Sequence, residues 1–216
     1  MITANPFDMK KLFPILAALV LAATACQGGS DKPAFEGIAD IGQVSVPGTM
    51  TYDAAEDVYT VSAAGANLWF ATDAASIVWM KVKGDFEISG NIDFVGEGVN
   101  PHRKMGFMIR EDLSADCVYA DIAVHGDGLT SLQYRSARGA DTFETGSVQG
   151  KAPNVIYLAR KGKAIYARSG KDVLPEYDEA AVDLELPEEC YVGLFLCSHE
   201  EDVVETGHFR NVVFKQ

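Results

Sequence analysis

Residues 101–135 read PHRKMGFMIREDLSADCVYADIAVHGDGLTSLQYR, and their pattern is the clearest indication of the fold in the sequence. It contains three short runs, at 104–110, 118–125 and 130–135, in which apolar side chains recur at every second position. Successive side chains of a β-strand point to opposite faces of a sheet, so this period predicts strands. Polar turns separate the runs. We therefore expect three consecutive strands, each with one face on the core.

The second face of these strands carries polar side chains. In the run at 118–125 the apolar set faces the core, which leaves a phenol, a carboxylate and an imidazole on the other side. If the strands are neighbours, one patch contains Arg110, Tyr119, Asp121, His125, Gln133 and Arg135. Few Lys or Glu are present, which favours ligand recognition over solvation alone, although a merely solvated outer face is the alternative. Arg110 and Asp121 could also form a salt bridge across the sheet.

Two tryptophans and a short basic run are further candidates for contact with a ligand. Trp79 shares the more polar face of a strand at 76–82, where its indole could stack on a pyranose ring, so it joins the candidate ligand-binding residues. Trp69 is expected to fill the core. Residues 102–104, His-Arg-Lys, indicate a solvated turn, with anion binding as the alternative.

Further strand patterns recur about every ten residues between Phe35 and Phe214, with Gly, Asp, Asn or Pro between them. This spacing is typical of an all-β sandwich or barrel. The additional predicted strands are 43–46, 58–63, 76–82, 86–94, 155–161, 163–169, 191–197 and 208–214. We expect the strand at 86–94 to have one wet face and the strand at 191–197 to be buried on both. The acidic segment 182–187 indicates a loop or an edge strand.

The first 25 residues have the order of features found in a lipoprotein signal peptide. Two lysines precede an apolar run that is too short to span a bilayer comfortably, and small residues then lead to Cys26. Cleavage there would leave Cys26 lipidated, residues 26–34 as a tether and 35–216 as one domain. Because Gln27 follows the cysteine where an aspartate would retain the protein in the inner membrane, we expect an outer-membrane lipoprotein, on its periplasmic or cell-surface face. An ordinary signal peptide is the alternative.

Charge and cysteine content limit the possible partners and cross-links. The formal net charge of −13 opposes contact with nucleic acid, and with membranes beyond the lipid anchor. Cys190 and Cys197 would point to opposite faces of one strand, so they cannot bridge each other. We expect both, together with Cys117, to be buried thiols, and a bridge from Cys117 to either one is the alternative.

The sequence lacks the usual catalytic and cofactor motifs. It has no Glu-x-Asp-x-Glu strand of the kind that sandwich glucanases use, no GxSxG, no HExxH and no phosphate loop. Asp121 and His125, four residues apart on one face, are the nearest approach to an acid and a base. Residues 198–202 offer oxygens for calcium without a recognisable loop pattern. We therefore assign no catalytic residue, metal or cofactor.

Several segments resemble a known family. The most specific are GDFEISGNIDFVG from Gly84, GFMIR from Gly106 and VGLFLCSH from Val192, followed by FRNV. On these motifs the chain is similar to the family of unknown function in the concanavalin A-like lectin/glucanase superfamily. That module occurs in bacteria alone or beside TolB-type propellers and glycosidases. The resemblance implies a jelly-roll sandwich of two antiparallel sheets whose concave sheet is available to saccharides.

No catalytic residue is carried over by this resemblance, although a neighbouring family on a similar fold hydrolyses 3-keto-glycosides. We therefore expect a lipid-anchored carbohydrate-binding or accessory lipoprotein that contributes to glycan capture or use. Neighbouring glycan-processing proteins are its expected partners. A glycoside-cleaving enzyme and a lipoprotein that only binds other proteins are the alternatives.

Overall fold

The computed structural model describes Met1 and residues 31–148, 152–177 and 180–216. The predicted signal peptide beyond Met1 and the predicted lipidation site Cys26 lie outside these ranges. No helix in the described ranges is long and apolar enough to cross a membrane.

The described chain is built from β-strands joined by turns and loops. They are β1 (Gly37–Ile41), β2 (Thr49–Asp53), β3 (Val58–Gly65), β4 (Asn67–Leu68), β5 (Asp73–Lys83), β6 (Phe86–Phe94), β7 (Lys104–Arg110), β8 (Tyr119–His125), β9 (Thr130–Arg135), β10 (Phe143–Val148), β11 (Val155–Lys161), β12 (Ala164–Gly170), β13 (Ala180–Asp183), β14 (Glu189–Cys197) and β15 (Glu200–Lys215).

The strands form two antiparallel sheets. The first sheet has the order β1-β5-β14-β7-β8-β9-β10, with the short β4 paired to β5, and the second has the order β13-β12-β11-β6-β15-β3-β2. The prediction of an all-β sandwich of two antiparallel sheets is therefore confirmed. The strands β7, β8 and β9 of the opening stretch are consecutive neighbours in the first sheet, as their sequence pattern indicated.

The main core lies between the two sheets, where the inward set of each strand meets. Ala120, Ile122 and Val124 of β8 belong to it, and so do Val192, Leu194 and Leu196 of β14. On β6 Phe86, Ile88 and Ile92 are buried and Phe94 is half-buried, while the polar positions between them are partly or fully exposed, which confirms the predicted wet face. Alternating burial is the physical reason why these strands could be recognised from sequence.

The free thiols follow the same alternation. Cys190 belongs to the core between the sheets, whereas Cys197 lies on the outer face of the first sheet. Cys117, Cys190 and Cys197 are all free and buried, so the prediction of three unbridged thiols is confirmed. Burial raises the pKa values of Cys190 and Cys197 to about 11, which keeps both sulfurs protonated.

The edges of the sheets were predicted less well. Residues 43–46 are not a strand and instead connect β1 to β2, two strands that were not predicted. Both lie at sheet edges, where alternation is weak because one side of the strand has no neighbour to cover it. Segment 182–187 is an edge strand only in its first two residues, which belong to β13.

The outer face of the first sheet is covered along part of its length. A second apolar cluster lies there, formed by Ile41, Leu68, Ala75, Ile77, Met108, Tyr119, Ala123, Phe195 and Cys197. The cover consists of the segment 66–72, which contains β4, and the loop 111–118, which contributes Leu113 and Ala115. These two covering segments determine which parts of the outer face remain open.

Candidate functional site

The strand register places the predicted patch on one face of the first sheet. Arg110, Tyr119 and Arg135 are partners in one row across β7, β8 and β9. Asp121 and Gln133 are partners in the next row toward the other end of the sheet. His125 is the partner of Lys104 two rows further on. The expectation that the six polar residues share a face is therefore correct.

The expectation that this face is exposed is wrong. Arg110, Tyr119, Asp121, Gln133 and Arg135 are each 0% exposed and His125 is 7% exposed, because the covering segments lie over them. Alternation reports which face a side chain points to, and it does not report whether a loop returns to cover that face. Contact with a ligand is restricted to the part of the patch that borders an opening.

Two arginines of the patch hold the cover in place. Arg135 forms a bidentate ion pair with Asp73 at 2.7 and 3.0 Å, and Arg110 contacts the same carboxylate at 3.2 Å. Arg110 also donates to the carbonyl of Ser114, and Arg135 donates to the carbonyl of Phe70. We call Asp73, Arg110 and Arg135 the arginine clamp. It replaces the Arg110–Asp121 salt bridge considered from sequence, because Asp73 reaches both guanidinium groups.

Tyr119 belongs to the same covered region. Its hydroxyl lies 3.0 Å from Thr142 Oγ1, and its ring lies 4.9 Å from the guanidinium carbon of Arg135. Burial raises the pKa of Tyr119 well above its ordinary value, so the phenol stays protonated. Arg110, Tyr119 and Arg135 thus make their polar contacts within the fold.

Both tryptophans are half-buried on the outer side of the first sheet, so only the expectation for Trp69 failed. Trp79 is half-buried, with its ring against Gly37 of β1 and edge-on to Tyr191 at 5.2 Å between ring centroids. Trp69 was expected in the core, but it is half-buried and lines an open cleft. The prediction about Trp69 failed because the segment 66–72, which contains β4, lies over the outer face of the first sheet and not between the sheets.

The open part of the outer face is a cleft of about 300 Å³. We call it the histidine cleft, and its lining residues are Asn67, Trp69, His102, Lys104, His125, Leu129, Gln133, Glu144 and His199. The ring of His102 lies 5.9 Å from that of His125 and 5.6 Å from that of His199 between centroids. Two members of the predicted patch, His125 and Gln133, therefore border an opening.

Lys104 lies at the floor of the cleft and is only 2% exposed. Its Nζ donates to Asn67 Oδ1 at 3.1 Å and to the carbonyl of Leu68 at 3.4 Å, and it lies 5.9 Å from the centre of the Trp69 ring. Burial lowers the pKa of Lys104. The interpretation of residues 102–104 as a solvated turn is thus wrong for Lys104, and also for Arg103, which pairs with Glu205 at 2.6 Å.

His125 is a neutral imidazole at physiological pH. Burial lowers the pKa of His125 to about 3, so neither ring nitrogen gains an extra proton near neutrality. The side-chain amide of Gln133 donates to Nε2 at 3.2 Å, which places the ring proton on Nδ1. Within the described ranges this Nδ1–H has no acceptor, and Gln133 Oε1 has no donor. Both unpaired atoms are buried and belong to residues that line the cleft.

Asp121 is another residue of this region with unpaired polar atoms, as are His199 at Nδ1 and Arg103 at Nε. Both of its carboxylate oxygens are buried, and neither has a hydrogen-bond partner among the described residues. Burial raises the pKa of Asp121 well above its ordinary value, an effect that Lys104 partly offsets. Buried polar atoms without partners are rare in folded proteins and cost free energy, so their concentration beside one cleft indicates a site for a polar ligand.

The described residues contain no group of three or more His, Cys, Asp or Glu side chains arranged to hold a metal ion. Glu200, Glu201 and Asp202 border a separate opening with His199, and their arrangement adds nothing to the calcium option. The chemistry available in the histidine cleft is hydrogen bonding, stacking on Trp69 and attraction to one buried amine.

Sequence reasoning missed several residues of the cleft. Lys104 is the cross-strand partner of His125 on the outer face. The predicted register of β7 and β8 could have revealed this pairing. Glu144 faces Gln133 from β10, a strand that was not predicted. His102 and His199 come from loops beyond the strand ends, and only the folded arrangement brings them together.

No protein-family model matches this chain, and no curated protein matches it. Solved structures with a similar fold include a functionally unknown protein from Saccharomyces cerevisiae, with a TM-score of 0.60 at 13% identity over 82% of this chain and 95% of its own. The carbohydrate-binding module CBM66 from Bacillus subtilis gives 0.51 at 13% identity, over 85% and 98% respectively. Alginate lyase A1-II′ of polysaccharide lyase family 7 gives 0.51 at 8% identity, over 77% and 82%.

These likenesses concern the fold. At such low identities they show that two antiparallel sheets are wound as a jelly-roll sandwich of the concanavalin-like kind, which confirms the predicted fold class. Function must be argued from the site itself, because one fold supports many activities.

Proposed function

We propose that this chain is a lipid-anchored saccharide-binding protein whose ligand occupies the histidine cleft. The observation that carries the proposal is the combination of a half-buried indole with unused hydrogen-bonding atoms around one opening. Sugars are bound in this way, because an aromatic ring packs on the apolar face of a pyranose while side chains pair with its hydroxyl groups. Of the predicted ligand-binding residues, His125 and Gln133 are retained as direct contacts.

The comparisons support this proposal in general terms, since a carbohydrate-binding module and an alginate lyase share the fold. The resemblance to the concanavalin A-like family of unknown function points the same way. Attachment through Cys26 to the outer membrane, and partnership with glycan-processing proteins, rest on the signal sequence and the resemblance alone. Mass spectrometry of the protein from membranes should detect acyl chains on Cys26, and an unmodified terminus would contradict the anchor.

Binding is tested best by comparing the two tryptophans. Affinity electrophoresis in gels that contain a panel of polysaccharides should retard the purified protein. Trp69→Leu should weaken binding about tenfold, because loss of an aromatic stacking partner costs about 1 kcal/mol or more. Trp79→Leu is the matched control, since Trp79 lies outside the cleft against Gly37 and Tyr191.

Three results would count against the proposal: no retardation by any polysaccharide, equal losses for both variants, or loss only for Trp79→Leu. Thermal unfolding of both variants shows whether a loss of binding follows from a loss of folding. The same preparations are assayed for released reducing sugar, which checks the alternative that Asp121 and His125 cleave a glycoside. Release that Asp121→Asn abolishes would favour the enzyme.

A further inference from the structure

The buried amine of Lys104 lacks an anionic partner. Its two hydrogen bonds go to the neutral oxygens of Asn67 and Leu68, and no carboxylate within the described ranges forms an ion pair with it. An ammonium group has three N–H donors, so one donor is unused. Burying a charged amine without a counter-ion costs free energy, and folded proteins avoid that cost unless the charge has a use.

The nearby acidic groups do not neutralise it. The carboxylate of Asp73 is occupied by Arg110 and Arg135 in the arginine clamp. Asp121 is fully buried, and neither of its carboxylate oxygens forms a hydrogen bond with Lys104 or with any other described residue. Glu144 lines the cleft but is exposed to solvent. Lys104 borders the cleft, which is the side from which an anionic ligand would approach it.

We propose that the histidine cleft takes the carboxylate-bearing sugar of an acidic glycan, a uronic acid residue, with its carboxylate on Lys104 and its ring on Trp69. This inference rests on the proposed saccharide function and names the class of sugar. Lys104 Nζ lies 5.9 Å from the Trp69 ring centre, so one sugar residue can contact both. His125 and Gln133 line the same cleft and border the position of this sugar.

The volume and overall charge agree with a local site. About 300 Å³ lies at the small end of the range for ligand pockets, which suits one residue of a glycan rather than a long segment. The net charge of −13 repels polyuronates at long range, so attraction must come from the buried amine. The carboxylate of exposed Glu144 repels an acidic sugar in the cleft. Removing that charge should therefore strengthen binding.

Binding should also carry a proton signature. The titratable groups that act on Lys104 or line the cleft are Cys197, Asp121, Asp73, Glu144, His102, His125 and His199. Burial lowers the pKa of Lys104 in the free protein, and a bound carboxylate raises it, so binding should be accompanied by proton uptake at pH values between the free and the bound pKa.

The test compares acidic sugars with their neutral esters. Isothermal titration calorimetry of the purified protein would use trimers of galacturonate, mannuronate and guluronate, each with its methyl ester. We expect at least one acidic trimer to bind tenfold or more tightly than its ester. Lys104→Met should abolish that preference, Lys81→Met should keep it, and Glu144→Gln should increase it. Lys81 is a suitable control because it is exposed on the outer face of β5.

The outcomes separate the two proposals. Equal affinity for every acid and its ester, or a preference that survives in Lys104→Met, overturns the uronate inference and leaves saccharide binding standing if neutral glycans bind. Absence of binding by acidic and neutral glycans alike overturns both. Displacement of a bound trimer by sodium acetate at the same carboxylate concentration would reduce the cleft to a general anion site and overturn the assignment to a sugar.

Discussion

The side chains around the floor of the cleft share one property, which is that they bury polar groups without a hydrogen-bonding or anionic partner. Asp121, Gln133 and His125 each leave at least one polar atom unpaired, and Lys104 has no anionic partner among the described residues. Each such group weakens the fold, since its lost hydration is not replaced. Stability alone would favour apolar side chains at these positions, so their chemistry points to binding.

The imidazole of His125 should make stability depend on pH. Its pKa is about 3 in the fold and near 6.5 in an unfolded chain, so between these values only the unfolded chain takes up a proton. Stability is therefore complete above pH 6.5 and declines as the pH falls toward 3. Between pH 6.5 and 5 this group should cost about 2 kcal/mol.

Urea titrations of the wild type and of His125→Gln at pH 7 and pH 5 measure this contribution. The glutamine variant should lose less stability than the wild type over that interval, by about the same 2 kcal/mol. Equal losses for the two proteins would mean that His125 is protonated in the fold and that the environment described for it is wrong.

For individual residues, the sequence predicted correctly which face of the sheet a side chain points to, but it was wrong about whether that side chain is exposed to solvent. Alternation placed Asp121, His125 and Gln133 on the outer face, where the structure has them. It could not show that Arg110 and Arg135 are covered, because their cover comes from segments distant in sequence. Lys104 was correctly predicted as the first residue of β7, but the basic run 102–104 was also interpreted as solvated, and the structure buries Lys104.

The covering segments depend on one carboxylate. Asp73 begins β5 and forms ion pairs with both guanidinium groups of the arginine clamp, which in turn bind carbonyls of segments 66–72 and 111–118. Asp73→Asn would leave two buried cations without a counter-charge. We expect it to lower the free energy of unfolding by about 3 to 5 kcal/mol, measured by urea denaturation.

Asp93→Asn is the matched control for this substitution. Asp93 also contacts two basic side chains, His208 at 3.0 Å and Arg210 at 3.0 Å, but its own side chain is 47% exposed. Water screens that pair, so the loss should be below about 1 kcal/mol. Similar losses for both variants would show that burial of the clamp does not matter.

Among the elements, central strands were predictable and edges were not. β6, β7, β9 and β11 begin and end at the predicted residues, because each has neighbours on both sides and one or two buried faces. β10 and β13 lie at edges and carry mixed sequences with little alternation. The cleft borders β10 and the short β4, which is why its outline was the least predictable part of the site.

At the scale of the whole molecule, fold and site differ in how they are encoded. The two-sheet sandwich follows from patterns repeated along most of the domain, so a few errors at edges did not change it. The histidine cleft depends on residues from β4, β7, β8, β9, β10 and four connecting segments, and no local pattern records that they meet. Its ligand therefore had to be inferred from folded geometry.

The places of β14 and β15 limit when this domain can fold. β14 lies between β5 and β7 in one sheet and β15 lies between β6 and β3 in the other, although both follow all the other strands along the chain. Neither sheet can therefore be completed until residues 189–215 have been synthesised. Until then the nascent chain should stay unfolded and extended enough to pass through a narrow protein-conducting channel. Ribosome-bound chains stalled after residue 188 should be digested rapidly by protease, and resistance at that length would show that the sheets can close in another order.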